Sequence, residues 1–258
     1  HIMRYKVILS YDGSSFCGWQ VQNDARTIQE SLQNALSTLL NEKVSVTGAG
    51  RTDSKVNAIN YLAHFDTSVC DLDAKTIRYK INAILPAGIK VHGIISADSD
   101  FHARFDAVQR EYKYFIHFRK DPFAEKFSWR CKFPLDVEKM NRAALKLVGM
   151  RDFSCFEKSG SSNATSICTV YEARWENYVP AHCREMGFPY EEGAYIVFTV
   201  SADRFLRNMV RAIVGSMVEV GRGRKDPEWF AELVDKGTRC DAGESVPGHA
   251  LFLNKVEY

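Results

Sequence analysis

The sequence predicts an α+β fold built from two halves that each follow the order β-α-β-β-α-β. Segments of alternating apolar and polar residues are typical of half-buried strands, and segments with apolar residues three or four positions apart are typical of helices. These two kinds of segment recur in the same order in each half of the chain. A chain of 258 residues is long enough for one large domain or two small ones with an ample core.

The first half covers residues 1–104. The run from Arg4 to Tyr11 alternates apolar with polar or smaller residues and predicts a strand. Thr27-Ile28-Gln29-Glu30 is a capping-box pattern and predicts the start of a helix. The remaining predicted elements are strands over 43–47 and 59–65, a helix over 71–84 and a strand over 89–95. This order is the ferredoxin-like arrangement.

The second half covers residues 105–258 and repeats the same order with one helix added. Asp136 is expected to cap its first helix, and Asp226-Pro227 is expected to begin its last helix. The other predicted elements are strands over 110–118, 167–175, 194–201 and 251–258, and a helix over about 203–220. We expect both halves to share one extended, mainly antiparallel sheet with helices on one face. The other face is the expected RNA-binding cleft, because an open sheet face is a natural platform for RNA.

Composition narrows the classes of function. The charged fraction of 26% and the hydrophobic fraction of 45% are ordinary for a globular protein. The net charge is only +2, so an anionic partner must meet a local basic patch. The seven cysteines are scattered without a Cys-x-x-Cys pair, which indicates free thiols in a reducing cytoplasm and no zinc site. No apolar run is long enough to span a membrane, so no membrane partner is predicted.

The stretch Gly48-Ala49-Gly50-Arg51-Thr52-Asp53 joins two predicted strands. Asp53 is therefore expected on a loop, where the glycines let the backbone turn sharply. Loops held by rigid strands are common positions for catalytic groups, and Arg51 would help to keep a nearby carboxylate ionised in a partly dry pocket. The alternative is a plain turn in which Thr52 and Asp53 hydrogen-bond to their own backbone.

A second informative stretch is the predicted helix that begins near Asp203. At 3.6 residues per turn, Arg204, Arg207 and Arg211 would lie within about 60° of one another on one helical face. Such a cationic ridge would suit phosphates or a catalytic carboxylate, whereas the usual meaning of a charged face is solvation. The run Arg222-Gly223-Arg224-Lys225 follows directly and favours an anion.

A third stretch interleaves basic and aromatic residues, from Phe101 to Ala107 and from Arg110 to Tyr114. This pattern suits a polyanion whose bases can stack. Tyr112 fits either a substrate contact or a core aromatic, and His102 is expected to be a hydrogen-bonded structural histidine. No phosphate-binding loop, dinucleotide fingerprint or histidine pair at metal-ligand spacing is present, so neither cofactor nor metal is predicted.

Together these residues resemble a known family, the bacterial tRNA pseudouridine synthases of the TruA type. The resemblance covers nearly the whole chain, and several motifs in the same order make it specific. These motifs are Tyr11-Asp12-Gly13, Gly18-Trp19-Gln20, Gly48 to Asp53, Phe101 to Ala107, Phe205 to Arg211, Ile213-Val214-Gly215, Ala242-Gly243 and Pro247 to Tyr258.

The resemblance implies an RNA isomerase that converts uridine to pseudouridine in the anticodon arm of tRNA, without a cofactor and as a homodimer. It implies that Asp53 is the essential aspartate, that Arg207 pairs with it and that Tyr112 packs against the target uracil. Arg51 would help to displace the base. The base must leave its stack to react, and Asp53 either attacks C1′ or takes a proton from C2′.

Arg104 and Arg211 complete the expected substrate-binding set, because both lie in basic stretches of the family motifs. Two other classes of protein fit the residues less well. A non-catalytic RNA-binding protein gains nothing from an aspartate in a basic cleft. A metal-dependent phosphoesterase needs clustered carboxylates, and the loop of Asp53 supplies only one.

The loop departs from the family pattern after its aspartate. Relatives usually continue with Ala-Gly-Val-His-Ala, whereas this chain has Ser54-Lys55-Val56-Asn57-Ala58. If the glycine position requires a left-handed backbone, Lys55 strains the loop. We predict that Lys55 contacts a phosphate of the bound RNA, because it lies two residues beyond Asp53, where the RNA backbone should pass if the target base is flipped. The alternative is that Lys55 points into solvent from an unstrained loop.

Overall fold

The computed structural model describes all 258 residues and divides them into two compact units. The first unit contains residues 1–108 and 252–258, and the second contains residues 109–251. Ten strands, paired mainly antiparallel, and six helices confirm the predicted α+β class. None of the helices combines the length and the apolar character that crossing a membrane requires.

The first unit follows the predicted order β-α-β-β-α-β. Its elements are β1 (Met3–Tyr11), α1 (Ile28–Leu40), β2 (Val46–Gly48), β3 (Asn57–Thr67), α2 (Ala74–Ile84) and β4 (Ile89–Ala97). Strand β1 lies between β3 and β4 and is antiparallel to both. Strand β2 pairs with the second half of β3. The start of β3 is thereby left for a parallel pairing with the last strand of the chain, β10 (Leu251–Glu257).

The alternation of β1 sets the core of this unit. Tyr5, Val7, Leu9 and Tyr11 are buried, whereas the residues between them are half-buried. Thr27 caps α1 as predicted, since its hydroxyl accepts the backbone N–H of Glu30 at 3.3 Å. The capped helix and the alternating strand confirm that local pattern determines this part of the fold.

The second unit carries the remaining elements. These are β5 (Gln109–His117), β6 (Trp129–Arg130), α3 (Val137–Leu145), β7 (Gly149–Asp152), β8 (Ile167–Asn177), α4 (Ala181–Met186), β9 (Tyr195–Ala202), α5 (Met209–Gly221) and α6 (Pro227–Lys236). Its strand order is β5-β9-β8-β7, antiparallel throughout, with β6 parallel to the end of β5. Asp136 and Asp226 cap α3 and α6 as predicted.

Three short elements of the second unit, β6, β7 and α4, were not predicted. They contain two, four and six residues, too few to show a period in the sequence. The units also divide the chain differently from the predicted boundary at 104/105. The division lies four residues later, and the closing strand, assigned to the second half by sequence order, pairs with β3 of the first unit.

The helix predicted over about 203–220 begins six residues later than expected. Asp203 extends the pairing with β8, because its N–H donates to the carbonyl of Thr169 at 3.0 Å and its carboxylate accepts the N–H of Thr169 at 2.8 Å. Asn208, the residue before α5, has a left-handed φ of 65°. These two constraints hold residues 203–208 outside the helix, so the predicted ridge of three arginines on one helical face is wrong.

Candidate active site

The loop of Asp53, residues 49–56, rests on an aromatic cluster in the first unit. The cluster consists of Tyr11, Trp19 and Tyr61, all buried. The rings of Trp19 and Tyr61 have centroids 4.5 Å apart, and Tyr11 packs edge-on against Tyr61 at 5.7 Å. Aromatic rings bury large surfaces with few rotatable bonds, so they give the loop a firm base.

Hydrogen bonds fix the loop to this cluster. The carbonyl of Thr52 accepts the N–H of Trp19 at 3.2 Å, and its hydroxyl lies 2.7 Å from the hydroxyl of Tyr11. The hydroxyl of Tyr61 accepts the N–H of Gly50 at 3.2 Å and donates to the carbonyl of the same residue. Thr52 is consequently buried while Asp53, the next residue, is half-buried. A fixed backbone therefore presents the Asp53 carboxylate.

Two glycines far from Asp53 in sequence allow this close packing. A Cβ atom on Gly18, whose φ is +83°, would come within 2.6 Å of the carbonyl oxygen of Thr52. A Cβ atom on Gly13 would come within 2.1 Å of the carbonyl oxygen of Val56. Both contacts are too short for any side chain. The motifs that contain these glycines support the loop, a role that the sequence pattern alone did not reveal.

The two cations of the loop, Arg51 and Lys55, are exposed on either side of Asp53. Lys55 has φ of +71°, which is the left-handed backbone that favours glycine. The left-handed backbone on which the predicted strain depends is therefore present. A turn closes here, because the N–H of Val56 donates to the carbonyl of Asp53 at 3.1 Å.

Arg104 lies in a second loop of the first unit, residues 101–106, and its side chain is exposed. The backbone N–H groups of Arg104 and Phe105 both donate to Nδ1 of His102 at 3.1 Å. His102 is thus a hydrogen-bonded structural histidine, as predicted. The guanidinium of Arg104 lies over the ring of Phe105, 5.7 Å from its centroid.

Tyr112 and Arg211 belong to the second unit. Tyr112 lies on β5 opposite Val200 and is half-buried, and the ring of Phe205 packs edge-on against it at 4.9 Å. Arg211 lies in α5, where its Nε donates to the carbonyl of Val246 at 2.8 Å. Arg211 therefore stabilises the segment that follows α6, whatever else it contacts.

Arg204 and Arg207 also lie in the second unit, but in different surroundings. Arg204 is half-buried, and its Nη1 donates to the carbonyls of Thr165 at 2.9 Å and Ile167 at 3.1 Å. The side chain of Arg207 is exposed, while its carbonyl accepts the N–H of Lys158 at 3.0 Å. Arg204 is therefore a structural residue that stabilises the start of β8. Arg207, in contrast, presents its charge to solvent.

The structure contains no group of three or more His, Cys, Asp or Glu side chains that could hold a metal ion. A shallow pocket of about 240 Å³ in the first unit is lined by residues that include Leu39, Val69 and Ile77, and none of the candidate residues lines it. The chemistry available at the candidate residues is that of one presented carboxylate, exposed guanidinium groups and aromatic rings.

The chain is similar to known proteins over nearly its full length. A family model described as tRNA pseudouridine synthase matches residues 7–106 and 143–258. The protein named tRNA pseudouridine synthase A from Bacteroides fragilis is 44% identical over 258 residues, which cover 100% of this chain and 97% of that protein. The protein of the same name from Parabacteroides distasonis is 42% identical, covering 99% of this chain and 96% of that protein.

One solved structure, the archaeal box H/ACA sRNP Nop10-Cbf5 complex, aligns with 95% of this chain and 58% of that chain. Its sequence identity is 10% and its TM-score is 0.34. This level of similarity supports no conclusion about the chain.

Proposed function

The chain belongs to the tRNA pseudouridine synthase family, and we propose that Asp53 is the essential carboxylate with which it converts uridine to pseudouridine in tRNA. The observation that carries this proposal is the presentation of Asp53. The backbone of Gly50 and Thr52 and the hydroxyl of Thr52 are hydrogen-bonded to three buried aromatic residues, while Asp53 itself is half-buried. The backbone that carries this carboxylate is therefore in place before substrate arrives, which favours an attacking or proton-accepting role.

The reaction is an isomerisation and balances without a co-reactant. The bond between N1 of uracil and C1′ of ribose breaks, the base turns, and C5 bonds to C1′. The proton on C5 is lost, and N1 gains one. The base cannot turn inside a helical stack, so it must be flipped out at an unstacking cost of about a few kcal/mol. Asp53 acts either as a nucleophile at C1′ or as a base at C2′, and both roles need the same oriented carboxylate.

Three further residues complete the proposed reaction site. Arg207 pairs with Asp53 and keeps it charged and oriented, a role supported by the exposed guanidinium of this residue. Tyr112 packs against the target uracil, and its ring is already oriented by Phe205. Arg51, exposed two residues before Asp53, helps to displace the base and holds the RNA.

The proposal also covers the RNA substrate, the oligomeric state of the protein and its compartment. Arg104 and Arg211 contact the phosphate backbone of tRNA, and the target uridines lie in the anticodon arm. The protein acts as a homodimer in the cytoplasm, and the seven free cysteines of the structure suit a reducing compartment. The similarity of the chain to the tRNA pseudouridine synthases A supports these assignments.

The first test is activity in the presence of a chelator. Wild-type protein incubated with uridine-labelled tRNA and excess EDTA is expected to form pseudouridine without any added nucleotide or metal, because no step of the isomerisation needs either. Pseudouridine is mapped by chemical labelling and primer extension. The tRNA is folded with magnesium beforehand, and a hybridisation assay verifies that its structure survives the chelator.

This test separates the three classes of protein. A non-catalytic RNA-binding protein would bind tRNA and leave every uridine unchanged. A metal-dependent phosphoesterase would cleave RNA only when a divalent ion is restored. Loss of pseudouridine formation in EDTA, with recovery at micromolar divalent ion and unchanged tRNA folding, contradicts the cofactor-free mechanism.

The second test concerns Lys55, which we propose contacts a phosphate of the bound tRNA. Lys55→Gly removes a left-handed non-glycine residue, so the free energy of unfolding is expected to rise by about 1 kcal/mol. The affinity for tRNA is expected to fall, and the slope of log K against log salt concentration to decrease by roughly one. Denaturant titration measures the first quantity, and filter binding over a salt series measures the second.

A matched control separates charge from strain at Lys55. Lys55→Ala removes the cation but keeps a side chain on the left-handed backbone, so it should lose affinity like Lys55→Gly without the gain in stability. Identical salt slopes for wild type and both variants would mean that Lys55 meets no phosphate and only points into solvent.

A further inference from the structure

The loop of residues 101–106 in the first unit ends in an exposed aromatic side chain. Phe105 is 74% exposed, although Phe101 at the start of the same loop is buried. An exposed phenylalanine gains little from folding, because most of its apolar surface stays in water. The exposed position of this ring indicates a binding role only if the surrounding loop fixes the ring in place.

Hydrogen bonds fix the backbone of this loop. The N–H of Ala103 donates to Nδ1 of the buried His64 at 3.0 Å, and the carbonyl of Ala103 accepts the hydroxyl of Tyr258. Burial, together with the nearby Arg4 cation, lowers the pKa of His64 to about 4. His64 is consequently neutral at physiological pH and able to accept this hydrogen bond.

Hydrogen bonds within the loop also fix its tip, residues 102–106. The carboxylate of Asp106 accepts the N–H of His102 at 2.8 Å, and the N–H of Asp106 returns to the carbonyl of His102 at 3.0 Å. Since the N–H groups of Arg104 and Phe105 also bond to the ring of His102, the chain turns around this imidazole. The backbone of the loop thus has few ways to move, and its apex is rigid.

This rigid apex presents a stack of aromatic rings. The imidazole of His102 lies parallel to the ring of Phe105, with centroids 4.1 Å apart and planes inclined by 21°. The imidazole supports the phenyl ring from one side, and the guanidinium of Arg104 lies over the phenyl ring at 5.7 Å, beyond close stacking distance. An exposed ring with a cation beside it offers a π-face and a counter-charge together.

We propose that His102 and Phe105 form a stacking platform for an unpaired base of the bound tRNA, with Arg104 contacting the neighbouring phosphate. This inference rests on the proposed function for the identity of the ligand. Aromatic side chains that stack on bases and an arginine that meets the backbone are the usual means of holding single-stranded RNA. A planar base suits the exposed ring of Phe105 better than an irregular protein surface does, since the imidazole already orients the ring.

The test uses three substitutions of Phe105 in the full chain. Phe105→Ala removes the platform and is expected to raise the Kd for tRNA about 10-fold, a typical loss for one stacked base. Phe105→Leu keeps apolar volume without a π-face and is expected to lose nearly as much. Phe105→Trp keeps the π-face and is expected to bind like wild type, with its fluorescence quenched when tRNA is added. Phe123→Ala in the second unit, where the ring is 69% exposed, is the matched control and should leave binding unchanged.

Kinetics separates binding from chemistry. Because the proposed platform holds a base other than the reacting uridine, Phe105→Ala should raise KM about 10-fold while single-turnover kcat stays within about twofold of wild type. Thermal unfolding should show no loss of stability, since the side chain is exposed. If Phe105→Ala is less stable, the comparison of Leu with Trp at this position still distinguishes stacking from packing.

Several results overturn the platform. Affinity like wild type in Phe105→Ala or in Phe105→Leu excludes base stacking, and dissociation of a dimer in Phe105→Ala assigns the ring to a subunit contact instead. Failure of the platform is distinct from failure of the proposed function. Normal pseudouridine formation with unchanged Phe105→Ala binding removes only the platform. Quenching of Phe105→Trp by tRNA without any pseudouridine from wild type supports the platform and removes the proposed function.

Discussion

Asp53→Asn is expected to abolish pseudouridine formation and to leave the affinity for tRNA within about a few-fold of wild type. Asparagine has nearly the same shape as aspartate but can neither attack C1′ nor accept a proton with comparable strength. Affinity is expected to survive because phosphate contacts, not the carboxylate, supply most of the binding energy for RNA. Quantitative mapping of pseudouridine and filter binding measure the two effects on the same preparation.

The structure supplies a strict control for this substitution. Asp53 follows a residue whose backbone and side chain are both fixed, so the loop should keep its conformation when one oxygen becomes an amide. Asp24→Asn changes an exposed aspartate in another loop of the same unit and should leave activity unchanged. Turnover by Asp53→Asn near that of wild type would falsify the assignment, provided that both variants unfold at the same temperature.

Local sequence patterns predicted the first unit well. The alternation of β1 and the cap at Thr27 depend on residues close in sequence, and both are present where expected. The position of Asp53 on a loop between two strands was also predictable, because glycines and flanking apolar runs mark such a turn. The support beneath the loop was not, since Gly13 and Gly18 approach it from more than thirty residues away.

In the second unit, local sequence pattern was insufficient to predict where the helix α5 begins. Residues 203–208 have helical spacing of apolar and basic residues, yet the pairing of Asp203 with Thr169 keeps them out of the helix. The competing contact joins residues 34 positions apart, so no local window contains it. Helix propensity is a weak prior that such tertiary contacts override. As a result, Arg204 is hydrogen-bonded to Thr165 and Ile167, whereas the side chain of Arg207 is exposed.

Removing the Arg207 guanidinium is therefore expected to have a much larger effect on catalysis than removing that of Arg204. Under the proposed pairing, Arg207→Ala leaves Asp53 poorly oriented and harder to keep ionised once tRNA excludes water. We expect single-turnover kcat to fall roughly 100-fold, which corresponds to about 2.7 kcal/mol. Stability should change little, because the side chain is exposed.

Arg204→Ala is expected to lower stability and to leave kcat unchanged, the opposite of Arg207→Ala. It deletes the donor to the carbonyls of Thr165 and Ile167, so the free energy of unfolding should fall by about 1–2 kcal/mol while folded protein keeps its kcat. Arg207→Lys keeps the charge without the planar fork, and intermediate activity is expected from it. Quenched single-turnover assays on the three variants measure kcat, and denaturant titrations measure the free energy of unfolding. Equal small losses of activity in Arg204→Ala and Arg207→Ala would reduce Arg207 to a solvated cation and leave Asp53 without its proposed partner.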